Sequence, residues 1–255
     1  MKGKVYLVGS GPGGMAFLTQ RGQAVINKAD VVLFDQLPGD EIIASLPERA
    51  EKIDCGKYGG KHTLEQDAIE ALMVERAKKG KLVVRLKGGD PFLFGRGGEE
   101  LETVRAAGIP VEMVPGISSA LAVPASVGIP LTHRKYASQV TVLTGNEDPT
   151  KPGPALDWEL LAKSRGTIVI LMGVANLAKI VDALMKNGKP DGTPVAIIER
   201  GLRVDRRVTT GTLATIASAA GEKGVKPPAV IVIGDVVKLY DPGNPDLIPV
   251  GEDLQ

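Results

Sequence analysis

The 255-residue sequence predicts an α/β protein made of two α/β domains. Short apolar stretches of strand-like composition alternate with longer amphipathic stretches typical of helices. This alternation stops at Pro115-Gly116 and then starts again. Glycine clusters directly follow two of the apolar stretches, as they do in ligand-binding α/β folds. The first alternation therefore predicts βαβ units in a largely parallel sheet, and the second predicts another α/β domain.

The individual elements follow the apolar pattern along the chain. In the first half we expect strands at residues 4–8, 31–34, 82–86 and 111–114, and helices at about 15–28, 64–79 and 97–107. In the second half we expect strands at residues 140–143, 167–171, 195–198 and 230–233. The predicted domains are residues 1–114 and 115–240, with a loop at 145–155 and a Pro- and Gly-rich acidic tail at 241–255.

Composition narrows the possible classes of function. The 31 Lys and Arg residues nearly balance the 30 Asp and Glu residues, so no general attraction to nucleic acid or anionic membrane is expected. The sequence has neither a membrane-spanning apolar run nor an export signal, and we expect a cytoplasmic protein. Cys55 is the only cysteine, and with His62 and His133 it offers no metal-site spacing. We expect no metal, and we expect Cys55 to be a small buried side chain.

Residues 82–100 carry the strongest functional signal. An apolar, β-branched strand ends at Gly88 and Gly89, whose backbone can approach a ligand closely. Glycine and charge then alternate in Gly95-Arg96-Gly97-Gly98-Glu99-Glu100. Small molecules bind at the carboxyl ends of strands in open α/β sheets, so we predict a binding loop here. An ordinary strand-to-helix turn before a capped helix is the simpler alternative.

An earlier glycine loop follows the first predicted strand. Its sequence, Gly9-Ser10-Gly11-Pro12-Gly13-Gly14, satisfies G-x-G-x-x-G. Asp35 follows the next strand, where a dinucleotide-binding fold places its ribose-binding acid. Taken alone, this pattern indicates an NAD(P)-dependent oxidoreductase. Pro12 inside the loop argues against that interpretation, and the motif on its own has a substantial false-positive rate.

The stretch 82–100 resembles the uroporphyrinogen-III C-methyltransferase family, whose pattern is close to V-V-R-L-K-G-G-D-P-F-x-F-G-R-G-G-E-E. The resemblance continues in V-P-G-I-S-S-A at 114–120, G-I-P-L-T-H-R at 128–134 and P-P-A at 227–229, and it covers about residues 4–240. It implies two α/β domains of the tetrapyrrole methyltransferase type (class III methyltransferase), with the cofactor in the cleft between domains, and a homodimer. It also implies methyl transfer from S-adenosylmethionine to C2 and C7 of uroporphyrinogen III. The products would be S-adenosylhomocysteine and precorrin-2, for sirohaem- or cobalamin-type biosynthesis.

The same resemblance assigns roles to single residues. Asp35 matches the family's proton acceptor, and Lys57 matches its proposed proton donor. Arg96 and Arg134 carry guanidinium groups suited to the substrate's carboxylates, with Glu99 orienting Arg96. The residues that correspond to the methyl-donor site are Pro12, Gly88, Gly89, Asp90, Leu93, Ser118, Ser119, Met172 and Gly201.

Most of these assignments have a purely structural alternative. Asp35 is also suited to capping a turn after a strand, and Lys57 is equally typical of a solvated surface. Arg96 and Glu99 have the spacing of an ordinary ion pair on a helix surface. Met172 follows an apolar strand and is suited to filling a core.

Three positions depart from the family's pattern. Gly14 stands where the family usually has Asp, while Gln36 and Tyr58 stand where Arg commonly follows the proton acceptor and proton donor. These departures leave open a tetrapyrrole-binding or regulatory protein that has lost activity. A later precorrin methyltransferase of the same family is a further alternative. The expected partner is a small-molecule tetrapyrrole, with no nucleic acid and no membrane.

Overall fold

A computed structural model describes residues 3–58, 61–62, 65–147 and 156–244. The chain divides into two compact units, Met1–Ser118 and Ser119–Gln255. Each unit contains its own five-stranded sheet with helices around it. The predicted fold class, two α/β domains, is confirmed.

The predicted elements of the first unit occur in the predicted order, but the helix Asp40–Ala44 and the strand Glu51–Asp54 were not predicted, and two further short additions occur. A 3-10 helix (Met15–Phe17) precedes the first α-helix, and a small hairpin follows the third strand. The elements are β1 (Lys4–Gly9), α1 (Gln20–Ile26), β2 (Val31–Phe34), α2 (Asp40–Ala44), β3 (Glu51–Asp54), β4 (Lys57–Tyr58), β5 (Lys61–His62), α3 (Gln66–Lys78), β6 (Leu82–Lys87), α4 (Gly97–Ala106) and β7 (Val111–Val114).

The sheet of the first unit has the strand order β3-β2-β6-β1-β7, and every neighbouring pair is parallel. One face packs on α1 and α2 through residues such as Val8 and Val84. The other face packs on α3 and α4 through residues such as Leu7 and Val83. Because both faces are covered, the inner strands read as nearly continuous apolar runs, which explains why the sequence locates them well. The edge strand β3 has the polar sequence E-K-I-D and was not predicted.

The helix predicted over residues 15–28 is wrong in its extent. The chain instead forms the 3-10 helix and then α1, which starts only at Gln20. The side chain of Thr19 accepts a hydrogen bond from the backbone N–H of Gly22 at 3.0 Å, so Thr19 is the N-cap that fixes this start.

Within its described residues, the second unit contains four α-helices and five strands. All four α-helices come from segments for which the apolar pattern gave no assignment. The elements are α5 (Ser119–Ser126), β8 (Val140–Thr144), α6 (Trp158–Lys163), β9 (Thr167–Leu171), α7 (Leu177–Lys186), β10 (Pro194–Glu199), β11 (Arg207–Thr212), α8 (Ile216–Glu222) and β12 (Ala229–Ile233), with 3-10 helices at Val174–Asn176 and Asp235–Leu239.

The second sheet is mostly antiparallel, unlike the first. Its strand order is β11-β10-β12-β9-β8, and only β8 and β9 run parallel. The connection from β10 to β11 is short and holds no helix, so the two strands can pair only as antiparallel neighbours. Strand β11 was missed because its sequence, R-V-T-T-G-T, is a polar edge strand with a single aliphatic side chain. In the described ranges, no helix of either unit is both long and apolar enough to cross a lipid bilayer.

Cys55 lies just after β3 and is 6% exposed, which confirms the expected small buried side chain. Burial raises the pKa of its thiol to about 11 because the thiolate is poorly solvated there. At pH 8 we expect a disulfide reagent to modify the native protein at least about 100-fold more slowly than the denatured protein. Stopped-flow absorbance measures both rates, and the denatured sample controls for the single thiol. Equal rates in the two states would contradict the buried position.

Candidate active site

The carboxyl ends of the five parallel strands form one edge of the first sheet. Strand β1 lies between β6 and β7, next to the end of the sheet that β7 forms. After β1 the chain passes to β2, on the far side of β6. After β6 it passes to β7, on the far side of β1. Open α/β sheets bind ligands where successive connections run in opposite directions like this. The three segments that follow β1, β6 and β7 are therefore the natural place for a site.

These three segments contact each other backbone to backbone. The amide of Gly89 donates to the carbonyl of Gly11 at 2.8 Å, and the amide of Gly11 donates to the carbonyl of Gly89 at 3.2 Å. A Cβ atom on Gly116 would lie 2.1 Å from the Gly89 carbonyl oxygen, and one on Gly9 would lie 2.6 Å from it. Side chains at Gly9 and Gly116 are thus excluded by the neighbouring loops. We call this contact of Gly9, Gly11, Gly89 and Gly116 the glycine junction.

The carboxylate of Asp90 ties the junction together. Its Oδ1 accepts from the backbone N–H of Phe92 at 2.9 Å, and its Oδ2 accepts from the backbone N–H of Gly116 at 3.1 Å. Asp90 therefore joins the segment after β6 to the segment after β7. Its predicted contact with the methyl donor stays a prediction.

Several of the predicted donor-site residues are brought together at this edge. Pro12 directly follows Gly11 in the junction, and Leu93 lies on the loop after Asp90, half-buried. A Cβ atom on Gly88 would lie 2.3 Å from the Cβ of Leu37, so Gly88 allows the segment after β2 to pack closely. Ser118 is buried at the end of the first unit.

The other three predicted donor-site residues belong to the second unit. Ser119 begins α5, and Gly201 lies between β10 and β11, where an added Cβ would be 2.4 Å from a methyl group of Val123. Met172 follows β9 with a φ of +56° and is 49% exposed. The alternative that Met172 fills the core is therefore wrong, because its side chain faces solvent. An exposed residue with strained backbone at a strand end is typical of a binding position.

Asp35 directly follows β2 at the same edge as the junction. Its Oδ1 accepts from the backbone N–H of Leu37 at 2.9 Å, which closes a turn, and its Oδ2 lies 3.7 Å from Nη2 of Arg85. The side chain is 23% exposed, so one face of the carboxylate remains accessible. The turn-capping alternative is thus correct as a structural role, and it leaves Oδ2 available for chemistry. Lys57 begins β4, and its side chain lies outside the described part of the structure.

Three buried charges, which were not predicted from the sequence, lie beside Asp35. Arg85 and Lys87 lie on the same face of β6, and both donate to Oε1 of the fully buried Glu100, at 3.1 and 2.8 Å. Burial, together with the positive charge of Arg85, lowers the pKa of Lys87. In the sequence, the only sign of this cluster is that two cations stand at alternating positions of a strand that is otherwise apolar.

Arg96 and Glu99 form the predicted ion pair. Arg96 precedes α4 in a left-handed conformation with a φ of +58°, and its Nε donates to Glu99 at 3.0 Å. Hydrogen bonding to Glu99 raises the pKa of Arg96. Both side chains are 54% exposed, so the pair is solvated and its net contribution to stability is small. The guanidinium group is thus accessible to an anion.

Arg134 lies in the second unit on an exposed turn. A pocket of about 270 Å³ beside it is lined by three cationic residues, Arg134, Lys135 and Arg165. The neighbouring His133 has a structural role, because its Nδ1 accepts from the backbone N–H of Lys135 at 3.2 Å. The local charge around Arg134 suits a carboxylate ligand.

A glutamate carboxylate lies beside Gly14, the position where the resembling family usually has Asp. Gly14 has a φ of +54°, and an added Cβ would lie 3.0 Å from Oε2 of Glu41. The same oxygen accepts from the backbone N–H of Met15 at 2.9 Å. Glu41 of α2 therefore places a carboxylate beside the position where the resembling family carries Asp.

Apolar side chains are exposed around the same edge. Leu37, Phe92 and Phe94 are all at least 39% exposed on the segments after β2 and β6. Backbone hydrogen-bonding groups, apolar surface and the Asp35 carboxylate thus lie close together. This combination fits S-adenosylmethionine, whose adenine and methylene groups are apolar and whose sulfonium is a cation.

The dinucleotide interpretation of the first glycine loop is wrong on geometric grounds. In a dinucleotide-binding fold the second strand lies next to the first, and a helix starts directly at the glycine loop. Here β6 lies between β1 and β2, and the first α-helix starts at Gln20, well after Gly14. Asp35 therefore follows a strand that lies two positions from β1 in the sheet. It does not lie beside the glycine loop, where the ribose of a bound dinucleotide would have to be.

Alanine substitutions are expected to have opposite effects at Gly116, inside the glycine junction, and at Gly98, outside it. Gly116→Ala places a Cβ against the Gly89 backbone, so we expect it to lower the free energy of unfolding by about 1 to 3 kcal/mol. Gly98→Ala lies on α4 with no atom within 4 Å of the added Cβ, so it should stabilise by up to about 1 kcal/mol. Thermal unfolding by calorimetry measures both. A Gly116→Ala protein as stable as the wild type would show that the loops do not contact so closely.

Residues 4–217 match the family of tetrapyrrole (corrin/porphyrin) methylases. The S-adenosyl-L-methionine-dependent uroporphyrinogen III methyltransferase of Methanosarcina barkeri is 59% identical over 239 residues, which cover 94% of each chain. The uroporphyrinogen-III C-methyltransferase of Methanocaldococcus jannaschii is 48% identical, over 94% of this chain and 99% of the relative. The crystal structure of uroporphyrin-III C-methyl transferase from Thermus thermophilus complexed with S-adenosylhomocysteine has a TM-score of 0.80 and 36% identity, over 93% of this chain and 100% of that one. The chain therefore belongs to the tetrapyrrole (corrin/porphyrin) methylases.

Proposed function

We propose that this protein transfers methyl groups from S-adenosylmethionine to C2 and C7 of uroporphyrinogen III and so produces precorrin-2. The observation that carries the proposal is the match to the Methanosarcina barkeri enzyme, because it extends over 94% of both chains. The bound S-adenosylhomocysteine in the Thermus thermophilus structure is the product that such a donor leaves behind. Precorrin-2 would then serve sirohaem- or cobalamin-type biosynthesis.

Positioning is the main task that this chemistry gives to the protein. When bound, S-adenosylmethionine supplies an electrophilic methyl group on its sulfonium. The protein must hold the attacking ring carbon in line with that group, and such orientation can supply much of the rate enhancement. The glycine junction supports this role because its loops are fixed by reciprocal hydrogen bonds and by the Asp90 carboxylate.

Asp35 is the proposed proton acceptor. After a ring carbon has attacked the methyl group, that carbon is quaternary and the ring system is cationic, so a proton must leave another position of the ring system to restore neutrality. Oδ1 of Asp35 is held by the Leu37 amide, so the carboxylate has a fixed orientation and its Oδ2 can accept the proton. Lys57 remains the proposed proton donor, on the basis of the resemblance alone.

Substrate binding is proposed to use guanidinium groups. Uroporphyrinogen III carries eight carboxylates, and Arg96 is accessible at the start of α4 on the first unit. Arg134 is accessible on the second unit, beside two further cations. Glu99 would orient Arg96 until a substrate carboxylate binds Arg96, either in place of Glu99 or together with it. A homodimer and a cytoplasmic location are also proposed, from the resemblance and the sequence respectively, and the nearly balanced charge supports the absence of a nucleic-acid partner.

Turnover tests the proposed function directly. We expect anaerobic incubation with uroporphyrinogen III and isotopically labelled S-adenosylmethionine to give a doubly methylated tetrapyrrole by mass spectrometry. Reactions without donor or without protein are the controls. If calorimetry detects S-adenosylhomocysteine binding but no methylated tetrapyrrole forms, the protein binds these ligands without catalysis.

Asp35→Asn keeps the shape of the side chain and removes its basicity. We expect it to lower kcat by about 100-fold or more, the usual scale for a general base, while S-adenosylhomocysteine affinity stays within about twofold. The matched control is Asp30→Asn at the opposite end of β2, where Oδ2 of Asp30 accepts from the Leu82 amide at 2.8 Å. Asp30→Asn should retain wild-type turnover. Full activity in Asp35→Asn would exclude Asp35 as the proton acceptor.

A further inference from the structure

Strand β6 carries two cations into a layer that is otherwise apolar. Arg85 and Lys87 are both about 95% buried, with exposures of 4% and 5%. Their face of the sheet packs against α3 and α4 through side chains such as Leu33 and Met73. Burying charges in such a layer is costly, and well-packed apolar side chains at these positions would commonly be as stable or more stable. Stability alone therefore does not account for them.

Glu100 of α4 holds both cations. Its Oε1 accepts from Nζ of Lys87 at 2.8 Å, from Nε of Arg85 at 3.1 Å and from Nε2 of Gln66 at 3.3 Å. Nη1 of Arg85 donates in addition to the backbone carbonyl of Leu86 at 3.1 Å. Nε and Nη1 of Arg85 are thus both hydrogen-bonded, and these two bonds orient the guanidinium plane.

The remaining end of Arg85 points at Asp35. Leu33 of β2 lies opposite Arg85 of β6. Asp35 comes two residues after Leu33, so it lies on the same face of the sheet, nearer to its carboxyl edge than Arg85. Nη2 of Arg85 lies 3.7 Å from Oδ2 of Asp35. The two cations and Glu100 together carry one net positive charge, and the carboxylate of Asp35 balances it. Asp35 is thus the outermost, partly exposed member of a four-charge cluster.

We propose that Arg85 is a positioning residue for Asp35, and that Glu100, itself held by Lys87, fixes Arg85 in the orientation required. The proposal rests on the proposed role of Asp35 as proton acceptor. Arg85 forms an ion pair with Oδ2, and the Leu37 amide donates a hydrogen bond to Oδ1, so both oxygens of the carboxylate are oriented by the protein. The buried side chains of Arg85, Lys87 and Glu100 exclude water from the inner part of the cluster, while Asp35 stays partly exposed.

A double-mutant cycle tests whether Arg85 acts through Asp35. We expect Arg85→Met to lower kcat by about 10- to 100-fold in the wild-type background, the scale of a misplaced reacting group. In the Asp35→Asn background the same change should lower kcat by less than about twofold, because no base remains to be positioned. Arg85→Lys keeps the buried charge and should recover part of the rate. Single-turnover assays give the rates, and calorimetry should find S-adenosylhomocysteine affinity unchanged.

The controls separate this proposal from a purely structural role and from the proposed function. Arg76→Met removes another arginine of the first unit, one that pairs with Glu51 at 2.7 Å on the surface, and it should leave kcat unchanged. Equal losses from Arg85→Met in both backgrounds would overturn the positioning role. Wild-type turnover in Asp35→Asn alone would instead overturn the role of Asp35, and the positioning role with it. If Arg85→Met does not fold, the same cycle with Arg85→Lys decides.

Discussion

The close contact of three backbone segments at the carboxyl edge of the first sheet is the constraint on which the site depends. Strands β1, β6 and β7 are parallel neighbours, so their carboxyl ends meet at one place. Only glycine fits where Gly9 and Gly116 approach the Gly89 carbonyl. The reciprocal hydrogen bonds between Gly11 and Gly89 then fix the two loops in one conformation. A rigid edge with exposed apolar side chains and a carboxylate beside it follows from this packing.

The buried charges connect this edge to the interior of the unit. The sheet is covered by helices on both faces, so its strands can be almost entirely apolar. Arg85 and Lys87 depart from that pattern only near the carboxyl end of β6, where Glu100 neutralises part of their charge. Asp35 completes the balance at the surface. The fold thus buries three charged side chains, at a cost in stability, next to the proposed proton acceptor. There they can fix the orientation of its carboxylate.

The sequence predicted most strands because buried strands leave a clear apolar signal, and the glycine loops identified the site edge. It did not predict the antiparallel second sheet, since strand direction depends on connections and β11 is polar. Composition also could not reveal that Asp90 braces two loops or that Glu41 lies beside Gly14, because both contacts join segments far apart in sequence. Glu100 appeared only as part of a charged helix start, whereas the fold buries it completely.

The central claim is that the methyl donor binds against the glycine junction. Titration of S-adenosylhomocysteine into the ¹⁵N-labelled protein, followed by amide chemical shifts, tests this claim most directly. We expect the amides of Gly11, Gly89 and Gly116 to shift and to saturate together with the calorimetric binding curve. If these three amides stay unchanged at saturation while other amides shift, the donor binds elsewhere and the account of this edge is contradicted.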